Sequence, residues 1–295
     1  MERRPGTASP FDTALSRRGF LAVTGGLLVA AACGSGSGKT ASNGSRGSKS
    51  VNALTLSIEP YTSTRPERLA FAVADDAGRF LAGPQTTIAV KPPGGTQGPP
   101  VATTLHAEGL PAGRGVYVLE MPFASAGVWA GVVQLAGHPS APLYWQVTST
   151  PKVPIVGAKA PATPTPTITA TQGVDPLCTR QPACPLHTVS LDRALTSGKP
   201  VAVMFATPAR CQSRYCGPVL DQLLAVQDAY RDRVELIHVE IYKDSTSDAL
   251  VPAVDTWQLP GEPWLFGIDR AGTVVGRLDG AMGTDEVRTL LDALV

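Results

Sequence analysis

A chain of 295 residues, 43% hydrophobic and 17% charged, is long enough to bury more than one core. Its formal net charge of +1 leaves no electrostatic basis for nucleic acid as a partner. The 30 glycines and 27 prolines cluster without a repeat period, which excludes a fibrous or solenoid architecture and points to linkers.

The chain starts with an address. Residues 16–21 read Ser-Arg-Arg-Gly-Phe-Leu, and an apolar run rich in Gly and Ala continues to Ala32. That run is shorter than the ~20 residues needed to span a bilayer. A charged segment before a short apolar one is the layout of an export signal. Arg17 and Arg18 with Phe20 and Leu21 resemble the twin-arginine export motif. Ala30-Ala31-Ala32-Cys33 resembles the lipobox of bacterial lipoproteins. That resemblance implies cleavage before Cys33 and diacylation of its thiol, and two acyl chains hold a protein on a membrane far better than one. Residues 34–50 carry no large apolar side chain and read as a flexible tether. The expected location is the outer face of the cytoplasmic membrane, with lipid as a partner through Cys33, in a compartment where disulfides persist.

Residues 51–150 alternate with a period of two. Leu54, Leu56 and Ile58 form one row; Leu69, Phe71 and Val73 a second; Ile88 and Val90 a third. Val116 and Val118, then Trp129 and Val133, then Tyr144 to Val147 continue it. Asp76-Ala77-Gly78, Pro93-Gly94-Gly95 and Ser125-Ala126-Gly127 supply turn chemistry between rows. Short strands with turns and no helical period predict an all-β sandwich. Gly115-Val116-Tyr117-Val118, Phe123 and Ala126-Gly127-Val128-Trp129 resemble the Ig-like modules of the YtkA type in bacterial envelope proteins. Some of those modules accompany copper proteins. Here His106, His138 and Met121 lack ligand spacing, so a structural or binding module is expected. Residues 151–176, rich in Pro and Thr, read as a semi-rigid linker.

From residue 177 the period changes. Ser190 precedes a short helix with Leu191, Ala194 and Leu195. Pro200 to Phe205 is a continuous apolar run, as in a strand buried on both faces. A helical stripe through Val219, Leu220, Leu223 and Leu224 follows, then a second buried strand over residues 234–241. A helix interrupted by Pro252, a hairpin turning at Asp269-Arg270-Ala271-Gly272, and a final helix capped by Thr284 complete the order. This order resembles the thioredoxin fold, in an α/β domain over residues 177–295. Lys199-Pro200-Val201 leads into the strand ending at Phe205-Ala206, the cysteines Cys211 and Cys216 follow and feed a long helix, and Gly261-Glu262-Pro263-Trp264 stands where the family has its cis-proline loop.

A thiolate is the attacking species in disulfide exchange, and a helix N-terminus favours it. Cys211, flanked by Arg210 and Arg214, is expected to attack, and Cys216 to resolve. The resemblance implies that Pro263 packs on the pair and positions substrate, with Glu262 as a base or a solvent-facing loop residue. Four residues separate the cysteines where the family keeps two. In a helix, positions five apart lie roughly 8–9 Å from each other, beyond the ~7 Å reach of a disulfide, so Cys211 is expected in the loop. Met204 occupies the position of the family's buried carboxylate.

Cys178 and Cys184 are expected to form a structural disulfide at the domain entrance, turned by Pro182 and Pro185. His187 reads as a surface or helix-start residue, and His238 as a core or strand-edge residue. No cofactor and no metal are expected. The leading reading is a thiol–disulfide oxidoreductase acting on exported cysteine-containing proteins or a thiol enzyme. A copper-handling protein using Cys211, Cys216 and a distal histidine, and a non-catalytic binding lipoprotein whose Cys211–Cys216 bond is structural, are the alternatives.

Overall fold

The computed structural model describes residues 50–83, 85–210 and 216–295. The export signal, Cys33, the tether to residue 49, Cys211 and Arg214 lie outside the described residues. Among the described residues no helix is long and apolar enough to cross a membrane.

The first half is built from strands β1 (Val51–Thr55), β2 (Glu67–Asp75), β3 (Thr86–Lys91), β4 (Pro100–Ala102), β5 (Thr104–His106), β6 (Val116–Met121), β7 (Gly127–Leu135) and β8 (Ala141–Val147). They form two antiparallel sheets, ordered β1-β2-β6-β5 and β4-β3-β7-β8. Leu69, Phe71, Ile88, Phe123, Trp129 and Trp145 share one core between the sheets, joined by Tyr117 and Leu119 of β6. The expected row Leu54, Leu56 and Ile58 does not turn into it: Leu54 is exposed, and Leu56 and Ile58 pack on the C-terminal half. Strand β8 alternates buried and exposed along its length, as a sheet with one solvated face should. Strands β2 and β6 are buried on nearly every residue. Their second face, through Ala70, Val116 and Val118, packs on the C-terminal half. The short strands β4 and β5 carry no periodic signal and were not foreseen.

The second half contains α1 (Leu191–Ala194), β9 (Val201–Phe205), α2 (Cys216–Tyr230), β10 (Glu235–Val239), α3 (Pro252–Thr256), β11 (Trp264–Ile268), β12 (Val274–Asp279) and α4 (Thr284–Asp292). The sheet order is β10-β9-β11-β12. Strand β10 runs parallel to β9, whereas β11 is antiparallel to both β9 and β12. Every residue of β9 and β11 is buried, which explains their uninterrupted apolar runs. Helices α2 and α4 cover one face of the sheet, and α1 and α3 the other. Order and orientation agree with the thioredoxin-like expectation. Pro252 does not interrupt its helix but opens it, a position where its missing N–H costs nothing. Thr284 is likewise the first residue of α4, with Gly283 at the cap, and the Glu286 carboxylate reaches back to accept the Gly283 N–H at 3.1 Å.

Residues 151–176 follow the surface of the second half as an anchored strap. Val153, Thr163, Thr165 and Val174 are buried. Thr163 and Thr165 accept the N–H groups of Asp192 and Leu191 at 3.1 and 3.0 Å, and Lys159 Nζ donates to the Ala271 carbonyl at 2.7 Å. The two halves are docked through buried charge. Arg68 of β2 pairs with Glu286 at 2.7 Å and donates to the carbonyl oxygens of Asp279 and Ala281. His106 of β5 meets Asp285 at 2.6 Å.

Candidate functional site

The chain leaves β9 at Phe205 and passes through Ala206 and Thr207 toward Cys211; its described course resumes at Cys216, the first residue of α2. The Cys211–Cys216 pair therefore belongs to a strand-to-helix junction. Pro218 stands in the first turn of α2, where proline is tolerated.

Facing this junction is the loop before β11. The Thr207 N–H donates to the Glu262 carboxylate, and the Glu262–Pro263 peptide is cis. Burial pushes the Glu262 carboxyl up to about 7, against the pull of the Thr207 N–H, and the negative charge of Glu240 adds to the rise. A half-buried carboxyl that exchanges its proton near neutral pH thus sits against the loop leading to Cys211. Arg210 is held elsewhere: its guanidinium lies 4.0 Å over the Tyr242 ring, pairs with Asp248 at 2.8 Å and donates to the Ser247 carbonyl. Its charge is committed to the 244–248 loop.

A second cluster lies beneath the same loop. Cys178 and Cys184 were expected to be bonded, but their sulfurs are 3.7 Å apart, against ~2.05 Å in a disulfide. Both are buried free thiols. His187, expected at the surface, is 3% exposed, and His238 is fully buried. Both rings turn toward the sulfurs. Cys184 Sγ lies 3.3 Å from His187 Nε2 and 3.4 Å from His238 Nδ1. Cys178 Sγ lies 3.8 Å from His238 Nδ1, and the two ring nitrogens are 3.2 Å apart. Backbone pairing makes the meeting: the His238 N–H donates to the Leu186 carbonyl at 2.9 Å, so the Cys184–His187 segment runs beside β10. Hydrogen bonding with Cys184 pushes the Cys178 thiol down, and the same bond together with burial pushes Cys184 up.

The cluster is wired to the junction. His238 Nε2 lies 2.9 Å from the Ala206 carbonyl oxygen. Thr179, next to Cys178, donates from N and Oγ1 to Glu240 at 2.6 and 2.9 Å, and its Oγ1 accepts the Ala209 N–H at 3.1 Å. Both ring nitrogens of His238 are therefore engaged, and it is not a free distal ligand for Cys211 and Cys216. The spacing Cys178-x5-Cys184-x2-His187 was visible in the sequence, but its fourth member comes from β10 and needed the pairing of Leu186 with His238 to find it.

No family model matches the chain, and no curated protein does. Among solved structures, a chain described as a thiol:disulfide interchange protein DsbE from Chlorobium tepidum is 18% identical, with 48% of this chain aligned to 97% of that one and a TM-score of 0.35. A thioredoxin-family thiol:disulfide interchange protein from Chlorobium tepidum TLS is 16% identical, over 47% of this chain and 97% of that one, with a TM-score of 0.33. The filamin domain of Lin-41 is 15% identical, over 33% of this chain and 90% of that one, with a TM-score of 0.23. Scores this low carry no argument of their own. The C-terminal sheet, ordered β10-β9-β11-β12 with β10 parallel and β11 antiparallel to β9, has the arrangement of a thioredoxin-like fold and follows an all-β region.

Proposed function

We propose that the chain is a membrane-anchored, extracytoplasmic thiol–disulfide oxidoreductase with Cys211 and Cys216 as its redox pair. The observation that carries the reading is Glu262: a carboxyl with its pKa near 7 binds Thr207, on the loop that delivers Cys211 between β9 and α2. The Cys211 thiolate, favoured by Arg214 and the N-terminus of α2, attacks one sulfur of a partner disulfide. A mixed disulfide forms and the partner's other sulfur leaves as thiolate. Glu262 takes the Cys216 proton, the Cys216 thiolate attacks the Cys211 sulfur, and the partner is released reduced while the pair is oxidised. Running backward, the same steps donate a disulfide. Arg210, fixed on Tyr242 and Asp248, acts by holding the loop. Glu262 and Pro263 position the extended chain of an exported cysteine-containing protein or a thiol enzyme.

Acylated Cys33 anchors the protein to the outer face of the membrane. The test is reduction of a disulfide-bonded protein by the reduced chain. Cys211→Ser should abolish it, and Cys216→Ser should accumulate a mixed disulfide with the partner. Equal turnover in wild type and both variants would leave a binding lipoprotein instead. Incorporated palmitate should be lost in Cys33→Ser.

A further inference from the structure

We propose that Cys178, Cys184, His187 and His238 form a structural zinc site that is independent of the redox pair. The four offer one ligand atom each, all within 4.8 Å of one another, and all four residues are buried. A tetrahedral zinc with Zn–S of ~2.3 Å and Zn–N of ~2.0–2.1 Å requires S···S of roughly 3.8 Å, S···N of roughly 3.5 Å and N···N of roughly 3.3 Å. The corresponding separations here are 3.7 Å between sulfurs, 3.3, 3.4 and 3.8 Å from sulfur to nitrogen, and 3.2 Å between nitrogens. These two bond lengths fit all five. A disulfide does not fit the first, because it would bring the sulfurs to ~2.05 Å.

The surroundings suit a ligand set. A carbonyl oxygen only accepts, so the His238 Nε2 that faces Ala206 at 2.9 Å carries the proton and leaves the Nδ1 lone pair aimed at the sulfurs. Such outer hydrogen bonds orient histidine ligands in metal sites. Two thiolates balance the charge of one zinc ion, so a neutral complex is buried among Leu186, Met204 and Leu236, within an apolar cluster that includes both cysteines. Binding involves no oxidation: zinc displaces the thiol protons to solvent and two Zn–S and two Zn–N bonds form. With four protein ligands and no open position, the site is a closed, structural one. Borderline-soft sulfur and nitrogen in tetrahedral array select zinc rather than calcium or magnesium.

The test is elemental analysis of the full chain purified without chelator, followed by cobalt substitution and thiol alkylation with mass mapping. One zinc per chain is expected, with tetrahedral ligand-field absorption and sulfur-to-cobalt charge transfer after exchange. Cys178 and Cys184 should resist alkylation until zinc is removed, while Cys211 and Cys216 react. Cys178→Ala and His187→Ala should each weaken zinc binding at least tenfold, and Cys211→Ser should leave it unchanged, so failure here is separable from failure of the redox reading. A Cys178–Cys184 disulfide in the metal-free wild type, copper in place of zinc, or zinc retained by both ligand variants would overturn the site. The wild-type metal content decides even if a ligand variant fails to fold.

Discussion

His238 Nε2 donates to the carbonyl oxygen of Ala206 at 2.9 Å, where the chain leaves β9 on its way to Cys211. Ala209, further along the same loop, donates to Thr179 beside Cys178 at 3.1 Å. The buried Cys/His cluster and the junction between β9 and α2 thus share one piece of backbone. Removing zinc from the proposed site should loosen that piece first. Hydrogen exchange of the purified protein should show the Thr207 and Ala209 amides losing protection at least tenfold after chelation, with β7 and β8 unchanged. Equal protection with and without zinc would separate the cluster from the loop.

Glu262 provides a pH signature. Its folded pKa, near 7, lies above its ordinary value of 4.5, because burial disfavours the charged form. Folding therefore favours the protonated acid. The stabilisation is full below about 4.5, declines as the pH rises through about 7, and is absent above. Glu262→Gln keeps a carbonyl oxygen for the Thr207 N–H and removes the titration. Urea midpoints measured from pH ~4.5 to ~8 should show the variant gaining on wild type by about 1–3 kcal/mol across that interval. The same variant should slow resolution of the mixed disulfide at neutral pH. A constant difference between the two proteins would show that Glu262 does not titrate there.

Arg68 links the sandwich to the last helix with almost no solvent contact, its side chain and that of Glu286 being 9% and 7% exposed. Removing one partner of such a pair strands the other charge in a low dielectric. Arg68→Ala should cost about 3–5 kcal/mol in chemical denaturation. The double change Arg68→Met with Glu286→Leu should recover only part of it. That pair no longer leaves a charge behind, but Asp279 loses its ion pair with Arg68 at 3.6 Å and the Gly283 N–H loses its acceptor. If Arg68→Ala costs less than about 1 kcal/mol, water reaches the pair and the docking is looser than the burial indicates.

Gly280 turns the chain between β12 and α4 with φ of +67°, and a Cβ there would run into the carbonyl oxygen of Leu56 across the same interface. Gly280→Ala should lose about 1–3 kcal/mol from the backbone conformation alone, plus the cost of displacing Leu56. A thermal midpoint equal to wild type would contradict both.

The sheet of the C-terminal half was legible because burial on both faces writes itself as continuous apolar runs, Val201 to Phe205 and Trp264 to Ile268. The sandwich was legible through its inward rows, such as Leu69, Phe71 and Val73. What lay between the halves was not. The second face of β2 consists of alanines, Ala70, Ala72 and Ala74, whose small side chains permit close approach without reading as a hydrophobic row. The proline-rich strap reads as a semi-rigid linker because its anchors are threonine hydroxyls and backbone groups, which carry no periodicity. Cys178, Cys184 and His187 stood in plain sight as a short motif, but spacing alone cannot separate a disulfide loop from three ligands of a metal. The fourth ligand, His238, reads as an ordinary buried-strand residue until β10 is set beside the Cys184–His187 segment.

The most direct test of the central claim is a redox titration of the full-length protein, with alkylation and mass mapping to follow each cysteine. Cys211 and Cys216 should convert reversibly between dithiol and disulfide at a potential between about −120 and −270 mV, the range of known exchange proteins, while Cys178 and Cys184 form no bond. A Cys211–Cys216 bond that resists reduction to below roughly −300 mV would make it a structural staple and contradict the oxidoreductase assignment.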